Sequence, residues 1–190
     1  MKQYKPGITC VTLSKTPFEH EKLPEHITYL NRVQLFEKPT DFYEHWIKAV
    51  REVETEIFFM QDHDDPLPNK YPETVKGLYH GDYLECFGRT INRHSGFVYS
   101  KRSHISIPTF IHKGFCNTEA VHDILPYLPE KSDALPEGIV YFILANTFGR
   151  QYDSALDMVW VNHKDGLHHQ GGATALSKTT GFLMKNGEDI

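Results

Sequence analysis

Strand and helix patterns alternate through the first third of the chain, and this alternation constrains the fold more than any other feature. Residues 8–13 form a β-branched, apolar run that is typical of a strand, and residues 27–30 or 33–36 give a second one. Residues 41–53 place apolar side chains at helical spacing, and an apolar run at residues 57–60 follows directly. The alternation predicts an α/β fold with a mostly parallel sheet flanked by helices.

Local signals refine these elements. Thr40 is suited to cap the helix at residues 41–53, and a second, short helix is expected at residues 18–25, broken near Pro24. The expected core stripe of the longer helix contains Phe42, Tyr43, Trp46, Ile47, Val50 and Val53.

The second half of the chain reads differently. Residues 84–87 and 96–100 indicate strands on either side of a turn at residues 92–95, which predicts a small antiparallel element. Thr118 is expected to cap a helix with an apolar face, and further elements follow it. These are a buried helix at residues 136–148 and a late strand at residues 155–161.

Length and composition indicate one ordinary globular domain. The chain has 190 residues, of which 39% are hydrophobic and 24% charged. We expect a single domain at residues 1–177, with halves 1–68 and 69–177, and a flexible tail at residues 178–190. No apolar run is long enough to span a membrane, and the first residues do not resemble a secretory signal. The three scattered cysteines suggest a reducing compartment, so we expect a cytoplasmic protein.

An acidic block follows the apolar run at residues 57–60. Asp62, Asp64 and Asp65 lie at the end of this predicted strand, at the sheet edge where open α/β sheets bind ligands. Carboxylate oxygens suit Mg²⁺ or Mn²⁺, and such ions usually take further oxygens from a substrate phosphate. The block therefore predicts a metal-assisted site for a phosphorylated or nucleotide-bearing substrate. An acidic turn after a strand is the alternative.

Three segments together resemble glycosyltransferases of the GT-A fold, near the large family of inverting, family-two-like enzymes. They are the first strand with the loop that follows it (residues 8–17), the helix at residues 42–49, and the D-x-D-D-x-x-P block within residues 57–68. The resemblance is good for residues 8–68 and mostly positional afterwards. It implies a GT-A-like, Rossmann-like domain that transfers a sugar from a nucleotide-sugar donor, with a UDP-sugar expected. The chain is short for this family, and the family's usual Glu-Asp base pair is not present as such.

The resemblance also assigns roles to the first half of the chain. It implies that Thr12 and Ser14 lie beside the nucleotide, that Asp62 faces the ribose or the metal, and that Asp64 binds the metal. Asp65 takes a supporting position. The ion neutralises charge that develops on the departing nucleoside diphosphate.

Later residues complete the expected site. A further metal contact is expected from His168, with His169 and His163 as alternatives, and an imidazole suits Mn²⁺ better than Mg²⁺. Asp123 occupies roughly the family's base position. Glu119 and Asp123 are four residues apart, so on a helix they share one face. A solvated helix face is the alternative interpretation for both.

The acceptor and the reaction class stay open at this point. An acceptor glycan is the family's commonest case, whereas hydroxymethylated DNA would suit a compact enzyme but is disfavoured by the net charge of −5. One alternative function is a metal-dependent phosphoesterase in which Asp62, His63, Asp64 and the late histidines hold two ions. Another is a non-catalytic nucleotide-binding GT-A module.

Overall fold

The computed structural model describes most of the first 63 residues and shorter segments of the remainder. The described residues are 3–21, 23, 25–35, 37–63, 79–80, 83–86, 89–92, 97–100, 114–132, 136–137, 139–140, 144 and 150–153. Within them the chain is an α/β protein with a mixed six-stranded sheet, a separate three-stranded sheet and helices. The coarse fold predicted from the sequence is confirmed, whereas its identity as a GT-A fold stays a prediction.

The first half of the chain supplies three neighbouring strands and the longer helix. They are β1 (Lys5–Ser14), β2 (Ile27–Val33), α1 (Pro39–Arg51) and β3 (Thr55–Met60). β1 lies between β2 and β3 and is parallel to both. Gly7 has φ of +138° where the register between β1 and β3 shifts, a conformation that glycine adopts without strain. The predicted parallel unit is confirmed.

The second half completes the large sheet. Its strands are β4 (Tyr79–His80), β5 (Tyr83–Cys86), β6 (Arg89–Asn92), β7 (Phe97–Ser100), β8 (Gly114–Asn117) and β9 (Arg150–Asp153). The large sheet has the order β2-β1-β3-β8-β7-β9, and the small one has the order β4-β5-β6. β8 is antiparallel to both β3 and β7, and β9 is parallel to β7. The large sheet thus takes strands from both predicted halves of the domain.

Several local predictions are wrong in detail. β5 pairs with β6, a strand that the sequence did not indicate, and β7 belongs to the other sheet. The described residues between 18 and 25 are irregular or turn, because backbone groups of Phe18 bond to side chains of β2 instead of forming a helix. The predicted strand at residues 155–161 and the tail lie outside the described residues.

Both helix caps differ from the predicted ones. Pro39 occupies the start of α1, so Thr40 lies inside the helix, and the Asp41 carboxylate accepts hydrogen bonds from the backbone N–H groups of Glu37 and Lys38 at 3.2 and 3.3 Å. The second helix, α2 (Thr118–Ile124), is capped by Asn117, whose side-chain oxygen accepts from Ala120 N–H at 3.0 Å.

The core lies on the face of the sheet that α1 and α2 cover. As predicted, α1 buries Tyr43, Trp46, Ile47 and Val50 and partly buries Phe42, and Val53 just after the helix is buried with them. Val121, Ile124 and Leu125 of the second helical region join the same cluster, together with Ile139, Val140 and Leu144. Each large apolar side chain that is fully removed from water contributes about 1.5–3 kcal/mol. The opposite face is also buried, as Ile8, Cys10, Ile57, Phe59 and Phe115 show.

Candidate functional site

The strand order brings the carboxyl ends of β1 and β3 together at one edge of the sheet. The chain leaves β1 towards β2 on one side, and α1 then carries it across to β3 on the other side. Neighbouring parallel strands whose connections leave in opposite directions form the place where open α/β sheets bind ligands. Ser14 ends β1 at this edge, and Gln61 and Asp62 follow the end of β3. We call this the carboxyl edge.

Thr12 connects the ends of β1 and β3. Its hydroxyl donates a hydrogen bond of 2.9 Å to the carbonyl oxygen of Gln61 and lies 2.9 Å from Nε2 of His20. The backbone N–H of Gln61 donates to Val11 O at 2.9 Å. Thr12 is fully buried, so its hydroxyl fixes the chain that leads to Asp62.

Ser14 and Asn31 hold the loop that follows β1. The Ser14 hydroxyl donates to Thr16 O at 2.6 Å and accepts from the Asn31 side-chain amide at 2.8 Å. The Asn31 oxygen accepts from Phe18 N–H at 3.0 Å, and the Tyr29 hydroxyl donates to Phe18 O at 2.8 Å. Both polar backbone groups of Phe18 are therefore fixed by side chains of β2.

Aromatic rings extend this arrangement towards Asp62. The ring of Phe18 meets those of His20 and His63 edge to face, with centroids 4.8 and 5.8 Å apart, and His20 meets Tyr29 at 5.5 Å. Burial raises the pKa of the Tyr29 phenol, and the Thr12 hydroxyl acts in the opposite direction. The loop after β1 and the loop after β3 thus touch at the carboxyl edge.

The acidic block begins at the carboxyl edge, as predicted. Asp62 is partly buried, and His63 beside it is exposed. Asp64, Asp65 and the candidate histidines His163, His168 and His169 lie outside the described residues. Within the described part of the chain, no group of three His, Cys, Asp or Glu side chains is arranged to hold a metal ion. The metal contacts of Asp62, Asp64 and His168 stay predictions.

Thr12 and Ser14 lie at the carboxyl edge, as predicted, but their hydroxyl groups are not exposed to a ligand. Both are at the carboxyl edge, yet both are buried, and their hydroxyl groups bond within the protein. Their direct contact with a nucleotide stays a prediction. In the structure the two hydroxyl groups instead hold the backbone of the loops that follow β3 and β1.

Glu119 and Asp123 lie at the opposite end of the sheet. β8 runs antiparallel to β3 and brings Asn117, which precedes α2, beside Ile57 near the amino end of β3. His122 of α2 bonds to Tyr4, which precedes β1, and to Val50 O near the end of α1. β1 has ten residues, so its two ends lie about 30 Å apart. The structure therefore does not place Glu119 and Asp123 with Asp62, and the predicted shared site is not supported.

These groups form a different cluster, which we call the amino edge. The Tyr4 hydroxyl lies 2.7 Å from Nδ1 of His122, whose Nε2 lies 2.8 Å from Val50 O. Because a carbonyl only accepts, Nε2 carries the proton and Nδ1 accepts from Tyr4. Burial raises the pKa of Tyr4, and the negative charges of Glu119 and Asp123 raise it further.

Comparison with known proteins gives no assignment to a family. No match was found to a protein-family model, to a curated protein or to a solved structure. The described helices include none that is long and apolar enough to cross a membrane. Function must therefore be inferred from the carboxyl edge itself.

Sequence reasoning missed three residues of that edge, namely His20, Asn31 and Gln61. Asn31 gave the clearest available signal, because a polar amide interrupts an otherwise strand-like run before Val33. His20 and Gln61 gave none, since their contacts join segments that are distant or irregular.

Proposed function

We propose that this protein binds a nucleotide-sugar and a divalent cation at the carboxyl edge and transfers the sugar to an acceptor hydroxyl. One observation carries the proposal. The order β2-β1-β3 places the start of the acidic block beside the loop after β1, at the strand crossover point that suits a nucleotide. The earlier resemblance of residues 8–68 to GT-A glycosyltransferases supports the same assignment.

The donor set fits a hard cation. Asp62 offers carboxylate oxygens at the edge, Asp64 follows two residues later, and His168 is proposed as the additional ligand. When bound, Mn²⁺ or Mg²⁺ supplies positive charge that stabilises the departing diphosphate. Asp62 and Asp64 would hold the ion. The hydrogen bond from Thr12 to the Gln61 carbonyl fixes the backbone immediately before Asp62.

Proton transfer from the acceptor is not assigned to Glu119 or Asp123, because α2 lies at the other edge. Among described residues, His63 is an exposed titratable group directly after Asp62. An imidazole there is suited to take a proton from an acceptor hydroxyl. We propose His63 for this role in place of the two acids.

Ligand-dependent stabilisation tests the proposal. Melting temperature is measured with UDP, GDP, ADP or inorganic phosphate, each with Mn²⁺ or with EDTA. A nucleotide at about 100 times its Kd stabilises the fold by about 2.7 kcal/mol, or roughly 5–10 °C for a chain of this size. We expect this shift for a nucleoside diphosphate with Mn²⁺ and its loss in Asp64→Ala. No shift with any nucleotide contradicts the proposal.

Turnover then separates the remaining alternatives. Hydrolysis of a nucleotide-sugar donor, or its transfer to a glycan or to hydroxymethylated DNA, distinguishes an enzyme from a nucleotide-binding module. A phosphoesterase instead hydrolyses phosphate esters without a sugar donor and binds two ions per chain in calorimetric titration. We expect His168→Ala to weaken Mn²⁺-dependent nucleotide binding more than His169→Ala. Adjacent strand residues face opposite sides, so one of the two is expected at the ion.

A further inference from the structure

β1 still holds the chain at Gln61, immediately before Asp62. β3 ends at Met60, but the N–H of Gln61 still donates to Val11 O at 2.9 Å, and its carbonyl accepts from the Thr12 hydroxyl at 2.9 Å. Because a peptide unit is planar, fixing the Gln61 carbonyl also fixes the direction of the Asp62 N–H. The Thr12 hydroxyl thus helps to set the starting direction of the acidic block.

His20 determines how that hydroxyl is used. A threonine hydroxyl has a single hydrogen, and that hydrogen is donated to Gln61 O. The 2.9 Å contact between Thr12 Oγ1 and His20 Nε2 is therefore an N–H of the imidazole donating to the hydroxyl oxygen. A hydroxyl that accepts one hydrogen bond donates a stronger one. The rings of Phe18 and Tyr29 contact the imidazole edge to face at 4.8 and 5.5 Å and hold it in place.

We infer that Thr12 and His20 are positioning residues that set the orientation of Asp62 for the cation. The inference rests on the proposed function, because it assigns Asp62 to a metal ion. It adds that the loop after β1 acts on the metal through Thr12 and the Gln61 carbonyl. Neither residue contacts the metal in this assignment.

The same strand offers a matched control. Thr9 is also buried in β1, and its hydroxyl lies 2.7 Å from that of Thr55. The Thr55 hydroxyl donates to Ile57 O, so Thr9 donates to Thr55. Thr9→Val and Thr12→Val each remove one buried hydroxyl and keep the side-chain volume. Each is expected to cost about 1–2 kcal/mol of unfolding free energy. Only Thr12 touches the chain next to Asp62.

Two measurements on the 190-residue chain test the inference. In the first, hydrogen exchange of the Asp62 amide is followed without ligand. In the second, Mn²⁺ is titrated in the presence of UDP, and the midpoint of the thermal shift is recorded. We expect Thr12→Val to speed exchange and to raise the Mn²⁺ midpoint about tenfold, and Thr12→Ser to restore both. Thr9→Val should change the midpoint less than twofold.

His20→Ala provides a second variant that does not depend on the folding of Thr12→Val, and we expect it to shift both readouts in the same direction. Unchanged exchange and midpoint in both variants overturn the inference. Equal midpoint shifts in Thr9→Val and Thr12→Val also overturn it, because stability alone then explains them. A wild-type protein that shows no Mn²⁺-dependent response overturns the proposed function and the inference together, which distinguishes the two failures.

Discussion

The two edges of the large sheet use polar side chains in different ways. At the carboxyl edge, Thr12, Ser14 and Asn31 bond mainly to backbone groups of two loops, and the acidic block starts beside them. At the amino edge, His122 connects Tyr4 to the end of α1, so its hydrogen bonds join elements of the core. The first arrangement orients two loops, whereas the second holds the layers together. Two acids on one helix face, such as Glu119 and Asp123, therefore indicate an active site only if the helix lies at the edge of the sheet where the ligand binds.

The largest expected effect tests whether chemistry is confined to the carboxyl edge. We expect Asp62→Asn to lower kcat/KM for sugar transfer by roughly 10²-fold or more, the scale of lost electrostatic stabilisation. Asp123→Asn and Glu119→Gln should change it by less than about threefold, because α2 lies at the other edge. Steady-state kinetics of the three variants measure this. A 10²-fold loss in Asp123→Asn would break the comparison.

The next prediction concerns the loss of stability at high pH that is caused by Tyr43 of α1. Burial raises the pKa of Tyr43 to about 12, and its hydroxyl donates to Pro129 O at 2.9 Å. The neutral phenol therefore favours the folded state, with full stability below pH 10 and a loss as the pH rises towards 12. The total loss from this group is on the order of 2 kcal/mol.

Denaturant unfolding between pH 8 and pH 12 measures this loss. Tyr43→Phe should show a smaller decrease than the wild-type protein, and Tyr127→Phe, which changes an exposed ring, should follow the wild-type curve. Parallel curves for wild type and Tyr43→Phe would contradict the assignment.

A double-mutant cycle tests the structural role of the amino edge. We expect His122→Ala to lower the unfolding free energy by about 1.5 kcal/mol and Tyr4→Phe by about 1 kcal/mol, because each breaks a hydrogen bond to the other. In the His122→Ala background, Tyr4→Phe should cost almost nothing. Urea denaturation gives the four free energies, and additive losses would show that the two residues do not interact.

The smallest expected effect concerns His45 on α1. Burial lowers the pKa of His45, and the positive charges of Arg32 and Lys48 act in the same direction against the opposite effect of Asp41 and Glu44. The unfolded chain therefore takes up a proton first, and stability falls as the pH drops below about 6.5. The slope from one group is at most about 1.4 kcal/mol per pH unit.

Unfolding free energies between pH 5 and pH 7.5 measure this slope. His45→Gln should reduce it, and His63→Gln, which changes an exposed ring, serves as the control. An identical slope in wild type and His45→Gln would show that this residue does not couple protonation to folding.

Local periodicity allowed much of the first half of the fold to be predicted. The apolar runs of β1 and β3 and the stripe on α1 are short-range patterns, and burial of Trp46 and Val50 follows from spacing alone. The predicted start of α1 at residue 41 lies two residues too late, because Pro39 and Asp41, not Thr40, determine it.

The candidate site was predictable only where it coincides with a strand end. Asp62 follows the apolar run of β3, so the sequence alone predicts that it lies at the carboxyl edge of the sheet. The placement of Glu119 and Asp123 depends on β8 running antiparallel to β3, and pairing between distant strands has no local signature. The contact between Thr12 and His20 depends on an irregular loop, for which periodicity gives no information.

The position of β8 has a consequence for synthesis of the chain. β3 pairs with β1 on one side. The backbone groups on its other side pair with β8, which follows about 50 residues later in the chain. At typical translation rates this interval is about 3–10 s. During that time the nascent chain carries an apolar strand, including Phe58 and Phe59, with one unpaired row of backbone groups. Such an edge recruits other strands, so fragments that stop before β8 should aggregate under conditions in which the 190-residue chain folds.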